Sequence, residues 1–345
     1  MQKYYIQDTE SLCSLCDKLK DSPVLAIDTE FVRTRTLYPK LGLLQIANDE
    51  HLALIDPIAI DDLSAFWELL TDANILKVIH ACSEDLEVFL TAANCKPVNL
   101  IDSQVMMSFL GHGLSLGYAA MVKHFLDIDV DKSESRTDWT KRPLSDKQLT
   151  YAQADVEHLI SIFPTLKTQV EQAGWFEASV QETELMIARK FTPIDSESLY
   201  TNVKMAWKLN PKQLCILRAL ASWRYQRAKQ RDLPLSFIVK DNTLLAVAQN
   251  IPHNMPAMTK IEGAEVLDIR HQGKAMLGVI NKALEMPAES YPVKIKRLDE
   301  YPNYKQIFKS VKTFNTDKLV TFYFSNFLSW MTNTNTIFIL YFDNF

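Results

Sequence analysis

Two acidic residues separated by one, Asp28 and Glu30, follow the aliphatic run Val24-Leu25-Ala26-Ile27. Such a run, entered from Pro23, is expected to be a buried strand, and strand geometry sends both carboxylates to one face. Side by side they repel unless a proton, a basic partner or a hard divalent cation neutralises them. The competing reading is a pair of solvated charges at a strand end. Two further acidic positions bear on the choice. Asp85 lies in the first turn of a helix expected to start with Ser83 as N-cap, directly after the strand-like Ile75–His80. Asp155 follows Tyr151 by four residues, which places the two on one helical face. Four carboxylates gathered at one sheet edge can hold two divalent ions, the usual device for in-line attack on a phosphodiester.

These residues need a scaffold, and the surrounding pattern supplies one. A short strand and an amphipathic helix with Leu12, Leu15 and Leu19 on one face occupy residues 4–20. The runs Leu41–Ala47 and Leu52–Asp56, separated by Asn48-Asp49-Glu50, suggest an antiparallel meander. Helices are expected around 62–70, 115–126 and 146–170, with an irregular polar stretch over Asp131–Trp139. Strands alternating with helices indicate an α/β domain whose mixed sheet is covered by helices. After about residue 203 the texture becomes all-helical, beginning at Pro211 with Leu214, Leu217, Leu220, Ala221 and Tyr225 at helical spacing.

Composition bounds the function. The chain has 345 residues, 47% hydrophobic and 23% charged, which suits a soluble globular protein of two or three domains. Its net charge of −5 conceals an asymmetry: residues 1–203 carry −14 and residues 204–312 carry +10. A basic module attracts polyanion, and an acidic one needs cations before it can approach a polyanion, so nucleic acid is the expected partner. Intramolecular docking of the opposite charges is the alternative. Five scattered cysteines argue against a disulfide framework, and the Cys13/Cys16 pair, with no second pair to answer it, is read as packing. The start Met1-Gln2-Lys3-Tyr4 lacks a secretory pattern and no 18-residue apolar span precedes residue 300, so a cytoplasmic, membrane-free protein is expected.

Asp28-Thr29-Glu30, Asp85 within His80–Glu87, and Tyr151-x-x-x-Asp155 together resemble the three exonuclease motifs of the DEDD superfamily in its tyrosine-bearing branch. The longer runs Asp28–Arg35 and Lys132–Trp139 are similar to bacterial ribonuclease D, and residues 209–285 to its helical HRDC domain. The resemblance implies a ribonuclease-H-like mixed sheet followed by an all-helical HRDC domain. It implies a 3′–5′ exoribonuclease that releases 5′-nucleoside monophosphates and matures the 3′ ends of tRNA precursors with two divalent ions, Mg²⁺ or Mn²⁺. In that pattern Asp28, Glu30, Asp85 and Asp155 are the metal ligands, and Tyr151 completes the catalytic set by orienting water. Phe31, Gln45, His80 and Arg136 are expected near the terminal nucleotide, and Arg33, Arg35, Arg136, Lys141 and Arg142 are either phosphate contacts or solvated surface. A DNA 3′–5′ exonuclease and a non-catalytic nucleic-acid-binding protein are the rival readings.

The expected division is an exonuclease domain over 1–170, a helical linker over 171–208 and the HRDC domain over 209–289. A truncated start of a second HRDC-like domain follows over 290–312, then an atypical tail over 313–345. The last 27 residues contain nine aromatics and no Lys or Arg, so the tail departs from the family pattern. No dedicated interface is evident, and a monomer is expected.

Overall fold

The computed structural model describes residues 1–297, Glu300, 303–306 and Lys309. The expected second helical start at 290–312 is described only in part, and the tail at 313–345 lies wholly outside these residues. The chain forms two compact units, Met1–Val32 with Pro39–Thr192 and Lys309, and Arg33–Tyr38 with the described residues from Pro193 to 306.

The first unit opens with β1 (Gln2–Ile6), α1 (Thr9–Leu19), β2 (Val24–Val32), β3 (Lys40–Ala47) and β4 (His51–Ile55). It continues through α2 (Ser64–Thr71), β5 (Leu76–Ile79), α3 (Ser83–Ala93) and β6 (Leu100–Asp102). It closes with α4 (Ser103–Phe109), α5 (Tyr118–Leu126), α6 (Asp146–Gln172) and α7 (Phe176–Phe191). The six strands lie in the order β1-β4-β3-β2-β5-β6. β2, β3 and β4 form the antiparallel meander, and β1, β5 and β6 add in parallel. The sheet is therefore mixed, as the alternation of strands and helices indicated.

Period two divides the sheet into two buried faces. Leu25, Ile27, Leu44 and Ile46 pack with α1, α2 and α3 on one side, while Ala26, Leu43 and Ala47 face α6 on the other. Small side chains, Ala26 and Ala47 on the strands and Ala152 on α6, allow that helix to lie close. The buried stripe of α6 runs Ala152, Asp155, Val156, Leu159, Phe163, Leu166 and Val170, a 3–4 repeat into which one acid has been set. A capping box between Ser145 and Gln148 fixes where the helix starts, and hence its register over the sheet.

One correction concerns α3. Cys82, not Ser83, is its N-cap, and no side chain caps it. The buried Asp102 instead accepts hydrogen bonds from the amides of Ala81 and Cys82, both at 2.9 Å. Those amides precede the helix, so the buried carboxylate fixes the turn between β5 and α3 and leaves the first helical turn without a side-chain cap. The stretch expected as a linker is divided: α7 packs on the first unit, where Thr183 Oγ1 accepts from the amide of Asp102, and residues from Pro193 belong to the second.

The second unit is helical: α8 (Pro211–Arg231), α9 (Leu235–Ile238), α10 (Asp241–Asn250), α11 (Met255–Met258) and α12 (Val266–Leu284). Pro211 occupies the first helical turn behind an Asn210/Gln213 capping box. Leu214, Leu217 and Leu220 of α8 meet Leu244, Val247, Met276 and Ile280 in its core. The segment after β2 belongs to this unit, because Asp232 accepts from the amides of Leu37 and Tyr38 at 3.0 and 3.1 Å.

Arg142, one of the candidate phosphate contacts, is consumed by structure. Its Nε and Nη2 make a fork onto the buried Asp56 at 2.7 and 2.6 Å, and it also donates to the carbonyls of Gly42 and Trp139. Gly42 leaves room for this loop: a Cβ there would stand 2.7 Å from the Trp139 backbone oxygen. Burial opposes the charge of Asp56, but the hydrogen bonds from Arg142 and Tyr5 hold its pKa down at about 2. A depressed carboxylate contributes stability above its ordinary pKa near 4 and loses it as pH falls through the folded value. Arg142→Ala, which strands a buried charge, should lower the urea-unfolding free energy by about 3 kcal/mol at pH 7. The gap between wild type and variant should close as pH falls from about 4 toward 2.

Candidate active site

β2 delivers Asp28 and Glu30 to the face covered by α6, and α6 delivers Asp155 to the same place. One carboxylate oxygen from each of the three lies within 4.8 Å of the others. Asp85 approaches from the opposite side of the strand. It sits in the first turn of α3 and accepts a hydrogen bond from Thr29 Oγ1, the residue between the two acids. The register with β3 shifts between Glu30 and Phe31, a bulge of the kind that re-aims side chains at sheet edges beside active sites.

At 4.8 Å and an effective dielectric near 20, each charged pair repels by about 3 kcal/mol, so three pairs sum to roughly 10 kcal/mol. That rivals the entire stability of a domain, about 5–15 kcal/mol. The cluster therefore holds protons unless a cation replaces them. Burial, then the charges of Asp155 and Asp85, push Glu30 up to about 9. Burial likewise raises Asp85 and Asp155 to about 7, and with Asp85, Asp155 and Glu30 as neighbours it drives Asp28 well above its ordinary value. Hard oxygen donors that converge and cannot all ionise alone fit a divalent ion, so Asp28, Glu30 and Asp155 can hold one directly and Asp85 stands close enough to share its field.

A cavity of about 200 Å³ opens on the cluster, lined by Asp28, Asp155, Tyr151, His80, Tyr118, Lys132 and Ser135 among others. Tyr151 is on the same face of α6 as Asp155, and the ring of the fully buried Trp139 lies 6.0 Å from its own. Burial, then the nearby Asp155, Glu30 and Asp28, raises the Tyr151 hydroxyl far above its normal pKa.

The residues expected near the nucleotide separate. His80 lines the cavity, but Nδ1 pairs with Ser103 Oγ and Nε2 with the Leu116 carbonyl, both at 2.9 Å, so it can offer only its ring. Gln45 faces Asp28 across the β2–β3 ladder and is fully buried, its amide without a hydrogen-bond partner among the described residues. Phe31 lies beyond the bulge and is half-buried, and Arg136 is exposed in the irregular stretch; neither lines the cavity. Sequence reasoning missed Tyr118. Its hydroxyl donates to the carbonyls of Ala154 and Asp155, and its ring meets His80 edge-on at 5.6 Å, tying the end of β5 to the turn of α6 that carries Asp155. Lys132 also lines the cavity, and no sequence feature separates it from the other surface cations.

A family model described as 3′–5′ exonuclease matches residues 4–171, and one described as HRDC domain matches residues 213–280. Ribonuclease D of Cronobacter turicensis is 41% identical over 307 residues, 89% of this chain and 83% of its own length. Ribonuclease D of Escherichia coli is 40% identical over 317 residues, 92% of this chain and 84% of its own. The crystal structure of Escherichia coli RNase D, described as an exoribonuclease involved in structured RNA processing, matches with a TM-score of 0.85 at 40% identity, covering 92% of this chain and 84% of that one.

The raised carboxyls set a pH dependence. A group whose pKa rises on folding contributes stability below its unfolded value, near 4, and loses it as pH climbs through the folded value, here about 7 to about 9. Metal-free protein should therefore melt progressively lower between pH 5 and pH 9. Mg²⁺ should raise the melting temperature most at the alkaline end. Asp28→Asn should flatten the slope and stabilise the metal-free protein at pH 9 by about 3 °C or more. A melting temperature that is flat with pH in the wild type would contradict this electrostatic description.

Proposed function

We propose that this chain, which belongs to the ribonuclease D family and is a 3′–5′ exoribonuclease, releases 5′-nucleoside monophosphates one at a time from the 3′ ends of tRNA precursors. The family's exonucleases depend on metal, and the HRDC match marks nucleic acid as the substrate. The observation that carries the reading is the convergence of Asp28, Glu30 and Asp155 within 4.8 Å beside Tyr151.

In this reading Asp28, Glu30 and Asp155 would hold the first of two divalent ions, Mg²⁺ or Mn²⁺, and Asp28 with Asp85 would serve the second; such ions would supply Lewis acidity toward the attacking water and charge neutralisation at the phosphodiester. The protein's own groups do the rest. Tyr151, with its pKa raised, keeps its proton and orients the water as a hydrogen-bond partner rather than acting as the base. Tyr118 holds the backbone from which Asp155 projects, and Lys132 faces the cavity as a cation for the scissile phosphate. Gln45, fully buried opposite Asp28, is out of reach of a base. None of the described helices is long and apolar enough to cross a membrane, and we place the protein in the cytoplasm as a monomer.

A 3′-extended tRNA transcript tests this. With Mg²⁺ the wild type should shorten it stepwise with 5′-monophosphates as the product. Asp28→Ala or Asp155→Ala should slow hydrolysis by about 10³-fold or more with the fold intact, and Tyr151→Phe should lower kcat by roughly 10²-fold. Undiminished turnover in Asp155→Ala would overturn the assignment.

A further inference from the structure

Two histidines outside the acidic cluster come together in the first unit. The rings of His112 and His124 lie 4.5 Å apart between centroids, with their planes tilted by 61°. Both side chains are exposed, and neither ring makes a hydrogen bond or ion pair with the described residues. Each is held from a different element. His112 sits in the turn after α4, where its amide donates to the Met107 carbonyl at 3.1 Å, and the flanking Gly111 and Gly113 take φ values of 89° and 87° that glycine alone adopts freely. His124 lies in the last turn of α5, beyond the buried Met121 and Val122, with the Phe125 ring edge-on at 4.9 Å. Imidazole nitrogens bind transition metals at about 2.0–2.1 Å, which sets adjacent ligand rings roughly 4.5–5.5 Å apart. The pair already stands at that spacing.

We propose that His112 and His124 chelate a borderline divalent transition metal, Zn²⁺, Ni²⁺ or Cu²⁺, which clips the turn after α4 to α5. Ligand chemistry separates this site from the catalytic one: imidazole nitrogen suits these ions, whereas the carboxylates of the cluster suit Mg²⁺ and Mn²⁺. With both rings exposed, water completes the coordination, so the site is open rather than enclosed. What it joins is the wall of the catalytic cavity. Between the two histidines lie the Leu116 carbonyl, which accepts from His80 and from Gln104 at 2.9 and 3.0 Å, and Tyr118, whose hydroxyl donates to the Ala154 carbonyl. A metal bound by the native spacing of the rings therefore stabilises that wall, and it does so whichever phosphodiester the cavity cuts.

Calorimetric titration of Ni²⁺ into the full chain carrying Asp28→Asn, which removes the acidic cluster from the competition, tests this. Ni²⁺ should bind that chain. Adding His112→Phe or His124→Phe keeps an aromatic ring in place but removes a ligand, and each should weaken binding by about 10-fold or more, since loss of even a group that only orients a ligand costs that much. His124→Cys, which supplies another ligand for these ions, should retain Zn²⁺ binding. Saturating Ni²⁺ should raise the melting temperature of the Asp28→Asn chain and leave that of either added Phe variant unmoved. If the Asp28→Asn chain binds no Ni²⁺, or if either Phe variant binds it as tightly as its parent, the site is wrong. Binding that leaves the melting temperature unchanged would overturn the clip.

Discussion

Carboxylates that converge within 4.8 Å must be held together against their own repulsion, and the first unit is arranged around that requirement. β2 is paired on both sides, with β3 over seven residue pairs and with β5 over three, so the strand carrying Asp28 and Glu30 cannot relax away from the site. Buried Leu25 and Ile27 anchor it from below, each contributing roughly 1.5–3 kcal/mol. α6 is pinned from several directions: its capping box sets the start, small residues let it lie close, and Tyr118 binds the carbonyls at the level of Asp155. The Arg142–Asp56 fork and the close fit of Trp139 over Gly42 secure the loop that enters α6. The repulsion is thus opposed by packing and hydrogen bonds remote from the acids, which keeps their oxygens free for a cation.

Charge is distributed to the same end. The acidic character of residues 1–203 is partly the site itself, which a polyanion cannot approach until cations neutralise it. The basic character of residues 204–312 supplies attraction that does not depend on the site's state. Attraction for a polyanion and the acidic cluster thus lie in different stretches of the chain.

What was legible from the residues was what depends on short-range periodicity. Asp28 and Glu30 share a face because strands repeat every two residues, and Tyr151 and Asp155 share one because helices repeat every 3.6. Asp85 was readable as a first-turn helix acid. What escaped depends on partners distant in sequence. Arg142 in a polar loop looks the same whether it meets solvent or, as here, the buried Asp56 86 residues away. Tyr118 reads as an ordinary half-apolar helix residue until α6 is laid across it. Ser83 has the residue type of a cap, yet the turn that Asp102 holds from the end of β6 places Ser83 inside the first helical turn. Residues 33–38, which directly follow the strand that carries the acids, belong to the helical unit because of two hydrogen bonds to Asp232, almost 200 residues further on.

The central claim is that Asp28, Glu30 and Asp155, with Asp85 beside them, exchange protons for divalent cations. Calorimetric titration of Mn²⁺ in buffers of different ionisation enthalpy measures that exchange directly. The account predicts binding accompanied by proton release that is greater at pH 6 than at pH 7, falls away above about pH 9 as the carboxyls ionise, and disappears with the binding in Asp28→Asn. Mn²⁺ binding at pH 7 with no proton released, or binding undiminished in Asp28→Asn, would contradict it.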